Sequence, residues 1–273
     1  MTYDYKPLAV ALAASFALSA CGSSGGGGGG PDISSAQSPG TAVYEATTLG
    51  GSTIYHADTG TVERNGFHTA PGQHGSGLDT LKIDGITIPL FSDSTQAVEG
   101  YTLTRAVQPT REIYQIVSAQ PDLSYTRFGF SGYGGYELDD NNNLLNQAQI
   151  LNMFATGRLT TDMPTTGTAT YSGYTLYAGA GGADHIDGFT AGSARFAVDY
   201  GNQTLLGVLT VPLAAGGDKS IALSGNITGN RFAGNEGGTQ MHGAFYGPQA
   251  AELGGVYRNT TDGFWGSFGA KKD

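Results

Sequence analysis

Ser193 to Thr210 reads SARFAVDYGNQTLLGVLT, and its spacing decides the fold. Ala194, Phe196, Val198 and Tyr200 fall on every second position, with Arg195 and Asp199 between them, so a period of two puts the apolar set on one face and the charges on the other. Gly201-Asn202 then breaks the run, and a second apolar run follows from Gln203 to Val211. A glycine-asparagine step tolerates the left-handed backbone of a hairpin turn, so the stretch predicts two short antiparallel strands.

The same pattern extends in both directions. Strands are predicted at Gly167 to Leu176, Lys219 to Ile227, Asn230 to Ala233, Gln240 to Tyr246, Ala250 to Arg258 and Gly263 to Ala270, alongside the two already read. Ala214 to Asp218 and Thr228-Gly229-Asn230 supply turns. Eight antiparallel strands of this length close most simply into a small barrel, which removes exposed edges and fills its interior with side chains. Gly207, Gly243, Gly255 and Gly266 lie inside strands and mark tight curvature or close approach. An outer-membrane barrel is the competing reading, but it needs strands of about 9 to 11 residues and an apolar outer band. Half of these runs are shorter.

Upstream, Thr80 to Pro89, Tyr101 to Val107 and Arg111 to Ser118 alternate as half-buried strands do. Asn143 to Phe154 instead spaces Leu144, Leu145, Ile150, Leu151 and Phe154 in an approximately helical way, predicting one short helix. No alternation of strand and helix is visible, which argues against a doubly wound parallel sheet. The fold class expected is mainly β, an N-terminal β-rich, handle-like domain over 41–159 followed by an eight-stranded antiparallel barrel over 160–273.

Composition agrees. The chain has 273 residues, 45 of them glycine, with 15 Tyr and 12 Phe, and only 13% are charged. A net charge of −10 disfavours a sequence-independent grip on nucleic acid or anionic lipid. Lys6 precedes an apolar run from Leu8 to Ala20 that has signal-peptide length and is too short to span a bilayer, so residues 1–20 read as a cleaved leader. Residues 21–40 (CGSSGGGGGGPDISSAQSPG) have almost nothing to bury and read as a flexible tether with a reach of about 20 to 25 Å. Leu18-Ser19-Ala20-Cys21 resembles the lipobox of bacterial lipoproteins, which implies acylation at Cys21, the sole cysteine.

A second resemblance lies downstream. PTTGTATYSGY (Pro164 to Tyr174), SARFAVDYGNQTLLGVLT, ITGNRFAG (Ile227 to Gly234), GAFYGPQAAELGGVYRN (Gly243 to Asn259) and GSFGAKK (Gly266 to Lys272) occur in an order that resembles the C-terminal barrel of transferrin-binding-protein-B-like surface lipoproteins. The resemblance implies a single-lobe member, haemophilin-like or factor-H-binding-protein-like, on the bacterial outer membrane. It implies export by a surface lipoprotein assembly modulator and capture of a host protein or an iron source. The FYGP and ELGG residues read as barrel construction, with Gly247-Pro248 forming a turn. Three functions stay open: capture of a host macromolecule, haem carriage of the haemophilin type, and a structural or colonisation role without a small ligand.

Catalytic motifs are absent from the sequence: there is no G-x-S-x-G elbow, P-loop, H-E-x-x-H or dinucleotide fingerprint. Asp139, Asn141 and Asn143 imitate the start of a calcium loop, but Leu144 and Ile150 stand where glycine and glutamate are needed. Among the histidines, His68 and His74 share the glycine-rich FHTAPGQHGSG, read as a loop able to bring two imidazoles to one metal or one to a haem iron. His56 and His185 are further haem or metal candidates, and His242 reads as structural. Arg127 to Tyr136 (RFGFSGYGGY) crowds aromatics among glycines; Phe128 and Phe130 alternate like buried residues, leaving Tyr133 and Tyr136 as candidate ligand anchors on a mobile backbone.

If Cys21 carries the anchor, Cys21→Ala should release the protein from membranes or leave its precursor uncleaved. Labelling with a radioactive fatty acid checks this, and incorporation equal to that of the parent would contradict it.

Overall fold

Seventeen strands account for most of the chain in the computed structural model, which describes residues 42–57, 59–75, 77–83, 86–90, 95–108, 111–138, 144–183, 186 and 188–273. The proposed leader, tether and Cys21, the Asp139 to Asn143 segment and His185 lie outside the described residues. Residues Ala42–Asp273 form one unit.

Its first part is a seven-stranded antiparallel sheet. The strands are β1 (Tyr44–His56), β2 (Thr61–Gly75), β5 (Thr95–Val98), β6 (Tyr101–Gln108), β7 (Arg111–Ser118), β8 (Thr126–Leu138) and β9 (Leu144–Arg158), in spatial order β2-β1-β9-β8-β7-β6-β5. β3 (Thr80–Ile83) and β4 (Ile86–Pro89) form a separate hairpin, so the run read as one strand from Thr80 to Pro89 is two.

The helix expected over Asn143 to Phe154 is strand β9. The reason is burial on both faces. Leu49, Ile116, Phe128, Phe130 and Met153 form one cluster with Leu176 and Val256 of the barrel, whereas Ala46, Val117, Ile150 and Phe154 pack with Leu81, Ile83, Ile88 and Leu90 of the β3–β4 hairpin. A strand covered on both sides carries apolar residues at odd and even positions alike, which erases the alternation that betrays a half-buried strand.

After Arg158 the chain enters the barrel, whose strands are β10 (Thr168–Gly179), β11 (Thr190–Asp199), β12 (Thr204–Pro212), β13 (Asp218–Thr228), β14 (Arg231–Glu236), β15 (Thr239–Tyr246), β16 (Glu252–Asn259) and β17 (Phe264–Lys272). Each pairs antiparallel with the next, and β10 pairs with β17 to close the ring. The eight predicted strands correspond one to one. The interior is filled by aromatics set opposite glycines: Phe196 faces Gly207, Phe232 faces Gly243, Tyr257 faces Gly266 and Phe268 faces Gly255 in cross-strand register. A Cβ on any of the four glycines would lie 2.3–2.7 Å from the facing ring or its hydroxyl.

Sheet and barrel meet just as closely. A Cβ on Gly269 would lie 2.6 Å from the Phe128 ring, and one on Gly254 would lie 2.8 Å from Thr126 Cγ2. Tyr101 Oη donates to Thr175 O at 3.0 Å, and Ser267 Oγ donates to Gly129 O at 3.0 Å. Glu252, the glutamate of ELGG, is buried and accepts from the backbone N–H groups of Ser124 (2.6 Å) and Tyr125 (3.0 Å); burial raises its pKa against the opposing pull of these bonds.

Glu45 on β1 is buried and takes a two-pronged contact from Arg231 at the start of β14, with Nε donating to Oε1 at 2.8 Å and Nη2 to Oε2. Arg231→Met should strand this carboxylate and destabilise the protein toward the lower end of about 3 to 5 kcal/mol, since Arg231 keeps 35% of its side chain in solvent. Urea denaturation should show most of that loss recovered in the double variant Glu45→Leu with Arg231→Met.

Candidate functional site

Where the sheet crosses one end of the barrel, aromatic side chains from both collect around Phe130 of β8. Its ring lies 4.9 Å from Phe189, just before β11, and 6.0 Å from Trp265 of β17 in an edge-to-face arrangement. Tyr114 of β7 approaches it at 6.0 Å, and the exposed Arg105 of β6 places its guanidinium 5.5 Å from the Tyr114 ring. Phe130 and Phe189 are buried, whereas Tyr114, Trp265, Leu151, Ala178 and Ala191 are half-buried around the same cluster. The period of two explains this local arrangement: Tyr114 and Ile116 share the barrel-facing side of β7, as Phe128 and Phe130 do on β8.

Half-buried Tyr114 and Trp265 thus stand on a buried aromatic pair, with the Arg105 guanidinium beside Tyr114. Beside the cluster, at the barrel rim, Lys219 Nζ sits 4.1 Å from the centre of the Phe264 ring and 3.5 Å from Tyr177 Oη. Burial, aided by the nearby Asp262, raises the Tyr177 pKa, so this hydroxyl stays protonated and hydrogen-bonds as a neutral group.

The residues selected from sequence do not gather into one site. His68 and His74 sit on strand β2, not in a loop, with backbones paired to Gly50 and Glu45. Six positions at about 3.3 Å each separate them by roughly 20 Å, far beyond the span of a single metal ion. His56 pairs with Thr61 at the far end of β1. Among the described residues no group of three His, Cys, Asp or Glu side chains is placed to hold a metal. His242 on β15 is half-buried, and burial together with Arg258 lowers its pKa.

RFGFSGYGGY is also not a mobile loop, because it lies on β8 between β7 and β9. Tyr133 is half-buried against the Ile150 and Phe154 cluster on the hairpin side, its hydroxyl lying over Gly135, where a Cβ would come within 2.3 Å. Tyr136 pairs with Gln147 along the same strand. Sequence reading missed Arg105, Tyr114, Phe189 and Trp265. They come from four separate segments, and nothing but their aromatic or cationic type links them before folding.

The family described as C-lobe and N-lobe beta barrels of Tf-binding protein B matches residues 163–272, the stretch that forms the barrel. An uncharacterised protein of Haemophilus influenzae is 28% identical over 217 residues, covering 72% of this chain and 67% of that protein. Transferrin-binding protein B of Haemophilus influenzae is 26% identical over 219 residues, 67% of this chain. The chain spans about a third of that relative's length, 34%. The isotype 1 transferrin-binding protein B of Neisseria meningitidis shares the fold with a TM-score of 0.51 at 18% identity, over 88% of this chain and 45% of that one.

Tyr133→Ala should destabilise the protein by about 2 kcal/mol, roughly half the cost of removing a fully buried aromatic ring. A denaturant titration checks this, and a change within about 0.5 kcal/mol would mark an exposed side chain instead.

Proposed function

We propose that this protein is a lipid-anchored surface protein that captures a host macromolecule or iron source without catalysing a reaction, and that the aromatic junction is its contact. The observation that carries the reading is the half-buried Tyr114 and Trp265 held on the Phe130–Phe189 pair beside Arg105. The match of residues 163–272 to the transferrin-binding-protein-B barrel family supports it, as does the relative named for transferrin binding. Cys21 would hold the lipid, and the glycine-rich stretch after it would set the folded part away from the membrane. An assembly modulator for surface lipoproteins is the exporter this reading implies.

Folds host many functions, so the ligand has to be argued from the site. A junction that offers apolar aromatic surface suits a protein partner better than it suits a bare ion. Haem carriage is the second reading, with single-histidine ligation by His56, His68, His74 or His185, since His68 and His74 are six positions apart along strand β2.

The test immobilises the protein and passes iron-loaded host transferrin, iron-free transferrin and haemin over it. Binding of a transferrin should fall at least tenfold in Arg105→Glu and in Trp265→Ala, with circular dichroism unchanged. Haemin binding with a histidine-shifted Soret band would favour the haem reading. Absence of binding to all three probes would overturn the proposal, and binding untouched by both variants would move the contact elsewhere.

A further inference from the structure

One transverse row of the sheet carries no apolar side chain. From β5 to β2 the register runs Thr95, Thr104, Gln115, Ser131, Asn152, Gly50, His68, each directly opposite the next. Directly opposed residues share a face, and here it is the face under the β3–β4 hairpin, since Gln115 Nε2 donates to Pro89 O at 2.7 Å. Thr104, Gln115, Ser131 and Asn152 are at most 3% exposed. Gln115 Nε2 also reaches Ser131 Oγ at 3.3 Å.

Three atoms of this row, Thr104 Oγ1, Gln115 Oε1 and Asn152 Nδ2, have no hydrogen-bond partner among the described residues. The Gln115 amide cannot be turned to hide its carbonyl, because Pro89 O needs a donor. Gly50 leaves the space that Asn152 Oδ1 leans into, where a Cβ would come within 2.6 Å. Buried amides and hydroxyls left unbonded are strongly unfavourable, and native proteins avoid them or meet them with ordered water.

We propose that this seam is an internal hydration site that holds at least two ordered water molecules. One lies between Thr104 and Gln115, accepting from or donating to the hydroxyl and donating to Oε1. The other accepts from Asn152 Nδ2 and donates to Ser131 Oγ. Each then has two side-chain partners, the minimum that holds a buried water. Neighbouring strands stand about 4.8 Å apart, so adjacent side chains in the row are spaced for one bridging water and not for a larger solute.

The test is oxygen-17 magnetic relaxation dispersion of water on the whole protein, which counts long-lived internal waters. Thr104→Val keeps the shape and removes one partner, and Asn152→Leu removes the other site's donor; each should lower the amplitude by about one water. An unchanged amplitude in the folded Thr104→Val protein, confirmed by circular dichroism, would overturn the proposal. So would a parent protein with fewer than two long-lived waters. If Asn152→Leu does not fold, the isosteric threonine change decides alone.

Discussion

A barrel of eight strands has room inside for only part of the side-chain volume that eight inward-facing rows would bring, and here the excess is removed by setting glycine opposite aromatic. Phe196 over Gly207, Phe232 over Gly243, Tyr257 over Gly266 and Phe268 over Gly255 each fill the space of two residues with one ring. A methyl group on any of these glycines would fall inside the ring's van der Waals contact, so ring and strand would have to part. The same device reaches outside the barrel, where Gly254 and Gly269 let the sheet lie flat against β16 and β17. The high glycine content is therefore a packing requirement before it is a matter of turns.

This explains which parts of the fold could be read from the chain. Barrel strands have one packed and one solvated face, so Ala194, Phe196 and Val198 alternate with Ser193, Arg195 and Ala197 and declare themselves. Strand β9 sits between the barrel and the hairpin, and Ile150, Leu151, Met153 and Phe154 are apolar on both sides, which mimics the spacing of a helix. For β2, glycines and Pro71 within Thr61–Gly75 look like a loop, yet the strand is an edge that also absorbs two register shifts against β1. Edges and bulges tolerate such residues where central strands do not.

The candidate site was less legible for a related reason. Motif reading selects residues that sit near one another in sequence, as His68 and His74 do, but a strand spreads neighbours apart at more than 3 Å per residue. The junction instead draws Arg105, Tyr114, Phe130, Phe189 and Trp265 from separate strands into one cluster. Tyr133 of RFGFSGYGGY packs against the hairpin-side cluster, and Phe130 in the same stretch is the centre of the junction. Phe130 was expected to be buried, and so it is; its neighbours across the chain were what the sequence could not show.

The position of β1 in the sheet bears on the order in which the protein assembles. β1 is made first, yet it pairs with β9, so its place in the sheet stays empty until a loop of almost ninety residues, 57–143, has been synthesised and closed. Strands β5 to β9 form a continuous meander and the barrel strands pair consecutively, so both can grow from local contacts, whereas the β1–β9 seam must wait. Pairings of such high sequence separation slow folding because chain entropy is lost before contacts are gained. A late-docking first strand delays completion of the sheet and leaves the outer edge of β9 without a backbone partner until β1 arrives.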